Sequence, residues 1–154
     1  MIRLTTMTFV LVASTTFAKD VTGPCVPVYV TSAGARGGFT DPSKGSQDSM
    51  KDLRGAIADK RSLCLVEDRE KARIVLEVQS RETAQMTASP IGRMRDRTVQ
   101  VKFIFGDFET EMSGSAMGGS IGSGGAWKKA SGKIAKQVEQ WVVANRAKID
   151  AVGK

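Results

Sequence analysis

The 154-residue sequence predicts an α+β fold. The expected form is a two-layer α/β sandwich in the order β-α-β-β-β-α. It has a mixed four-stranded sheet, two helices on one face, and a long hairpin projecting from the third and fourth strands. Three observations carry that reading. Residues 71–85 and 97–112 alternate apolar and polar side chains with a period of two, the mark of half-buried strands. Ahead of them a strand, a helix and a strand follow in close order, which forms a right-handed crossover with its strands parallel. Residues 127–150 carry their apolar side chains at helical spacing. The length suits one domain with a real core, and 41% hydrophobic with 25% charged residues are globular values.

Taken in order, the chain opens with "MIRLTTMTFVLVASTTFAKD". Arg3 stands in a short basic start, an apolar stretch runs from Met7 to Ala13, and Thr16 and Ala18 supply small residues before Lys19. That is the secretory signal pattern, so residues 1–18 are read as a signal peptide and 19–154 as a single α/β domain. The apolar run is too short to span a bilayer as a helix. Two cysteines, Cys25 and Cys64, are an even count in a chain bound for an oxidising compartment, and a disulfide between them is expected. Pro24 directly before Cys25, well past the apolar run, argues against a lipid-anchor cysteine.

"CVPVYVTSA" is rich in β-branched residues and predicts a first strand over 26–32. The glycines and Asp41-Pro42 of "GARGGFTDPSKGSQ" predict a loop. Ser49 and Asp52 fit a capping box, and Met50, Leu53 and Ile57 recur at helical spacing, so a first helix is expected near 47–60 with Lys60 and Arg61 at its end. "SLCLVE" predicts a second short strand, which brings Cys25 and Cys64 to the starting ends of neighbouring strands. In the third strand Ile74, Leu76 and Val78 face the core, with Glu77, Gln79 and Arg81 opposite. In the fourth, Val99, Val101, Phe103 and Phe105 face inward. Beyond Gly106 the apolar set moves to Phe108, Thr110 and Met112, a phase change expected to be a bulge at Gly106-Asp107. The final helix turns Trp127, Ala130, Ile134, Val138, Trp141, Val142 and Ile149 to the sheet, with Lys129, Lys133 and Lys136 outside.

Absences narrow the chemistry. The chain has no histidine, which removes Ser-His-Asp and Cys-His catalysis and histidine metal sites together. Acidic residues sit mainly among basic neighbours, as in "EDREK" and "MRDR", where carboxylates stay ionised instead of serving as acids. The loop around Asp41 and Asp48 lacks the D-x-D-x-D-G spacing of a calcium site. No cofactor, no metal and no catalytic residue is assigned.

Two places suit binding. At the hairpin tip "MTASPIGRMRDRT", Arg93, Arg95 and Arg97 alternate beside Met94, a composition for gripping a partner. The stretch "GSAMGGSIGSGGAWKK" lacks both phosphate-loop patterns and reads mainly as a connector. Its end, Gly124, Gly125, Lys128 and Lys129, offers free amides and cations to an anion at a helix start.

The net charge of +7 favours anionic partners. The expectation is an exported, periplasmic or secreted, non-catalytic binding domain meeting an anionic or amphipathic envelope component. A carboxylate-type hydrolase acting on an envelope polysaccharide is the alternative. Nucleic-acid binding follows only if residues 1–18 are not a signal.

Overall fold

The computed structural model describes residues 23–33, 42–85, 95–118 and 124–152. The signal segment 1–18 and the hairpin tip 86–94, with Arg93 and Met94, lie outside them. The elements are β1 (Val26–Ser32), α1 (Pro42–Ala58), β2 (Leu63–Leu65), a 3-10 turn (Arg69–Lys71), β3 (Ile74–Gln85), β4 (Arg95–Phe105), β5 (Phe108–Gly118), α2 (Gly124–Ala144) and α3 (Arg146–Ala151). The sheet is mixed, in the order β2-β1-β3-β4-β5. β1 is parallel to β2 and β3, while β3-β4 and β4-β5 are antiparallel.

The expected α+β form, a mixed sheet with the two long helices on one face, is present, with five strands in place of four. The phase change at Gly106-Asp107 is a two-residue hairpin turn, not a bulge. Phe105 pairs with Phe108, and Gly106 takes φ +56°, the left-handed value that glycine adopts without strain. Two residues spent in the turn reset the alternation, so Phe108, Thr110 and Met112 face the same side as Phe105, Phe103 and Val101.

α1 begins at Pro42, five residues before its expected start near 47. Proline suits the first helical position because its missing N–H would find no partner there anyway. Ser49 is therefore inside the helix and buried, so the capping-box reading is corrected. Lys60 lies beyond the helix end and pairs with Glu139 of α2 at 3.2 Å. The last helix is broken at Asn145, whose backbone leaves helical geometry and whose Nδ2 donates to the Trp141 carbonyl.

The core lies between the sheet and the helices. Val28, Val30, Leu76, Val78, Val101 and Phe103 from the strands meet Leu53, Ile57, Ile134, Val138 and Val142 from the helices. Each fully buried side chain of this size contributes about 1.5–3 kcal/mol. Cys25 and Cys64 are bridged, with Cα atoms 5.5 Å apart, at the starting ends of β1 and β2.

α2 approaches β5 closely because Gly114 has no side chain. A Cβ there would overlap the Ala130 carbonyl, and one at Gly118 would come within 2.8 Å of the Ala126 Cβ. Gly114 and Gly118, read from sequence as connector, are thus strand residues shaped for helix packing. The same closeness protects the sheet edge. In β5 the residues hydrogen-bonded to β4 alternate with residues facing outward. The outward carbonyls of Ser113 and Ser115 accept from Gln137 (3.0 Å) and Lys133 (2.5 Å) of α2. The four helical residues from Lys133 to Gln137 rise about 6 Å and two strand residues about 6.8 Å, so the spacings match. Occupied carbonyls leave less of the edge open to a foreign strand.

A cationic cluster at the carboxyl end of the sheet

Topology brings Arg95 and Arg97 of one sequence-predicted site to the same end of the sheet as the Gly124–Lys129 helix start of the other. β5 runs parallel to β1 and β3, because two antiparallel steps separate β5 from β3. α2 runs back along β5, as the Gly118–Ala126 and Gly114–Ala130 approaches show. α1 runs back along β1 in the crossover, and Arg81, near the end of β3, reaches Gly45 and Asp48 in the first part of α1. Both long helices therefore start at the end where β1, β3 and β5 finish. Helix starts carry free N–H groups and the positive ends of the helix dipoles.

The centre of this end is Trp127. The β3-β4 register slips between Val78 and Ser80, which makes Gln79 an extra residue. A bulge of this kind re-aims every side chain beyond it. Arg81, expected on the outer face, pairs instead with buried Val99 and turns to the helices. Its guanidinium lies 4.1 Å over the Trp127 ring, donates to the Gly45 carbonyl at 3.1 Å and stands 3.7 Å from Asp48. Burial pulls the Arg81 pKa below the usual arginine value, while the carboxylates of Asp48 and Asp52 act to hold it up. An arginine remains a cation throughout.

Asp52 lies one helical turn beyond Asp48, about 6 Å away. Burial pushes its carboxyl pKa up, with Arg81 opposing and Asp48 reinforcing. Lys128 and Lys51 pull it down more weakly. Asp48 pairs with the Arg81 guanidinium and Asp52 adds to the field on it, the arrangement of an ion network.

Arg97 and Arg95 stand differently from their expected place on a projecting tip. Both belong to β4, and Arg97 is only 5% exposed, with its guanidinium 5.6 Å from the Trp127 ring centre. Its register partner is Ala116 and its Nη1 borders Gly118, so it is enclosed under α2. Arg97 thus packs inside the end of the sandwich instead of projecting to a partner. Arg95 is half-buried, and its Nε has no hydrogen-bond partner among the described residues. At the start of α2, Gly125, Lys128 and Lys129 are exposed, and Gly124 is the first helical residue. Sequence reading missed Arg81 and Trp127 as partners. The one trace of the bulge was the lapse of strict alternation after Val78, in "QSRET".

No helix among the described residues is long and apolar enough to cross a membrane. They contain no cluster of three metal-ligating side chains.

Fold and site together define a two-layer α+β domain with a cationic strand-carboxyl end. Among solved structures its fold is similar to that of PelC from Paraburkholderia phytofirmans, determined as a dodecamer. That match has a TM-score of 0.51 and 15% identity, and covers 73% of this chain and 90% of the other. A minor lipoprotein from Acinetobacter baumannii aligns over 80% of this chain and 96% of its own, at TM-score 0.44 and 13% identity. No protein-family model and no curated protein matches the sequence.

Proposed function

We propose that this chain is an exported, non-catalytic accessory domain that contacts an anionic envelope component through the carboxyl end of its sheet. One observation carries the reading: Arg81 of β3 and Arg97 of β4 converge on Trp127, distant from both in sequence, in the first turn of α2. The same end of the fold carries Arg95 at the start of β4 and Lys128 and Lys129 in the exposed first turns of α2. Lysines at a helix start oppose the helix dipole, an arrangement that becomes favourable when an anion is bound. Export agrees with the leader-like first 18 residues and with the bridged cysteines. Arg93 and Met94 adjoin the same end in sequence and extend the proposed contact.

The test is co-sedimentation of the protein with phosphatidylglycerol vesicles and with pure phosphatidylcholine vesicles, and calorimetry with polyglutamate as a soluble polyanion. Binding to at least one anionic probe, lost on adding salt, is expected. The triple variant Arg95→Glu, Lys128→Glu, Lys129→Glu should lose it while melting within a few degrees of wild type. Equal binding by variant and wild type, or silence with both anionic probes, removes this end as the contact.

A further inference from the structure

At the opposite end of the molecule, below the β4-β5 turn, lies a groove of about 550 Å³. Its size falls within the range of small-molecule sites, roughly 300–1,000 Å³. We propose that this groove binds a neutral sugar ring, independently of the anionic contact proposed above.

The walls are aromatic. Phe105, Phe108 and Trp141 line the groove, and Phe108 is 48% exposed, uncommon for so large an apolar side chain. Phe108 is nevertheless held in one orientation. Its ring is nearly parallel to that of Trp141, 14° apart with centroids at 6.0 Å, and Phe103 meets it edge-on at 6.2 Å. Phe105 braces Trp141 from another side at 5.2 Å. The Gly106-Asp107 turn sets the position of Phe108 by pairing it with Phe105. An aromatic ring that is both presented and braced loses little conformational freedom when a ligand stacks on it.

The polar lining selects the ligand. Asp107, Asn145 and Lys148 also line the groove. Asn145 donates one N–H to the Trp141 carbonyl, which orients its amide and leaves Oδ1 and the second N–H for another partner. Asp107 and Lys148 carry opposite unit charges, so the lining has no net charge. An anionic amphiphile meets Asp107 and a cationic one meets Lys148. A plain acyl chain takes water from both charges and returns no hydrogen bond. A pyranose fits each requirement. Its C–H face, slightly positive, rests against the negative faces of the rings, and its hydroxyls both donate and accept, as a carboxylate, an amide and an ammonium require.

The experiment is a titration of 15N-labelled protein with cellotriose, maltotriose and chitotriose, following the indole N–H signals of Trp141 and Trp127. Sorbitol, with hydroxyls but no ring face, and laurate, an anionic amphiphile, are the controls. A saturable shift of Trp141 with at least one trisaccharide is expected, with Trp127 unmoved and both controls silent. Phe108→Ala should weaken binding at least about tenfold, the loss of one main stacking surface. Should that variant fail to fold, Asn145→Ala should weaken it several-fold instead. Silence of all three trisaccharides up to about 10 mM, where contacts of a few kcal/mol still register, overturns the proposal. So does a saturable Trp141 shift with laurate, or wild-type affinity in a folded Phe108→Ala variant. Because Trp127 reports the opposite end, failure here leaves the anionic contact untouched.

Discussion

The Arg81 guanidinium lies 4.1 Å over the Trp127 ring, and Arg97 approaches the same ring at 5.6 Å. The two cations repel, and Arg97 helps pull the Arg81 pKa down; the electron-rich ring and the carboxylates of Asp48 and Asp52 work against that repulsion at Arg81. In a double-mutant cycle of Arg81→Gln and Trp127→Leu, followed by urea unfolding, the coupling should be about 0.5–2 kcal/mol. Strict additivity would show that the stacking contributes nothing.

Gly114→Ala should destabilise the fold by about 2 kcal/mol or more, in the upper part of the range for overpacking. The obstacle is the Ala130 backbone carbonyl, which cannot rotate away as a side-chain tip would. Gly55→Ala is the matched control. It sits in α1 with nothing within 4 Å of the added methyl, so helix propensity alone should make it neutral or stabilising by up to about 1 kcal/mol. Thermal melts of both variants check the pair.

The Cys25–Cys64 bridge closes a loop with a sequence separation of 39. By the chain-entropy model that removes about 4 kcal/mol of freedom from the unfolded chain. The Cys25→Ser, Cys64→Ser double variant should therefore unfold at clearly lower urea concentration. β2 has only three residues and lies at the sheet edge, so it should lose hydrogen-exchange protection first. Unchanged protection in β2 would contradict this.

Asp52 supplies a pH dependence. Its folded-state pKa is raised above the ordinary value of 3.8, with burial the main cause. A raised carboxyl favours folding below its unfolded value, and that contribution is lost as pH rises through the folded value. Asp52→Asn should therefore equal or exceed wild type at pH 7, by no more than about 0.5 kcal/mol for so accessible a carboxylate. The advantage should vanish below about pH 3, where both forms are neutral. Melting temperatures across pH give the answer; a variant markedly weaker at neutral pH would mean that the Arg81 pairing outweighs burial.

Much of the architecture was legible because it rests on local periodicity. Alternation in "IVLEV" and "TVQVKFIF" marked strands whose inward members are buried, and the helical spacing of Ile134, Val138 and Val142 marked the face that packs on the sheet. The starting-end placement of Cys25 and Cys64 followed from the crossover and matches the bridge. Less legible were the points at which periodicity is interrupted. A two-residue turn and a one-residue bulge both reverse the alternation, and Gly106 signals either. The bulge at Gln79 carries no glycine at all.

The candidate site was legible as a set of cations but not as a place. Arg95, Lys128 and Lys129 were identifiable from composition and spacing, whereas the enclosure of Arg97 under α2 depends on Gly118 and Ala126 being small where strand and helix meet.

By itself the chain's order of residues determined which segments are strands and helices, which of their faces are apolar, and which chemistries lack the side chains to operate. Those properties depend on neighbours a few residues apart. Only the tertiary structure decided that Arg81 turns inward, that two helix starts share one end, and that Phe108 stands beside Trp141. Such relations are settled by pairing register, where a slip of a single residue carries a side chain from one face of the sheet to the other.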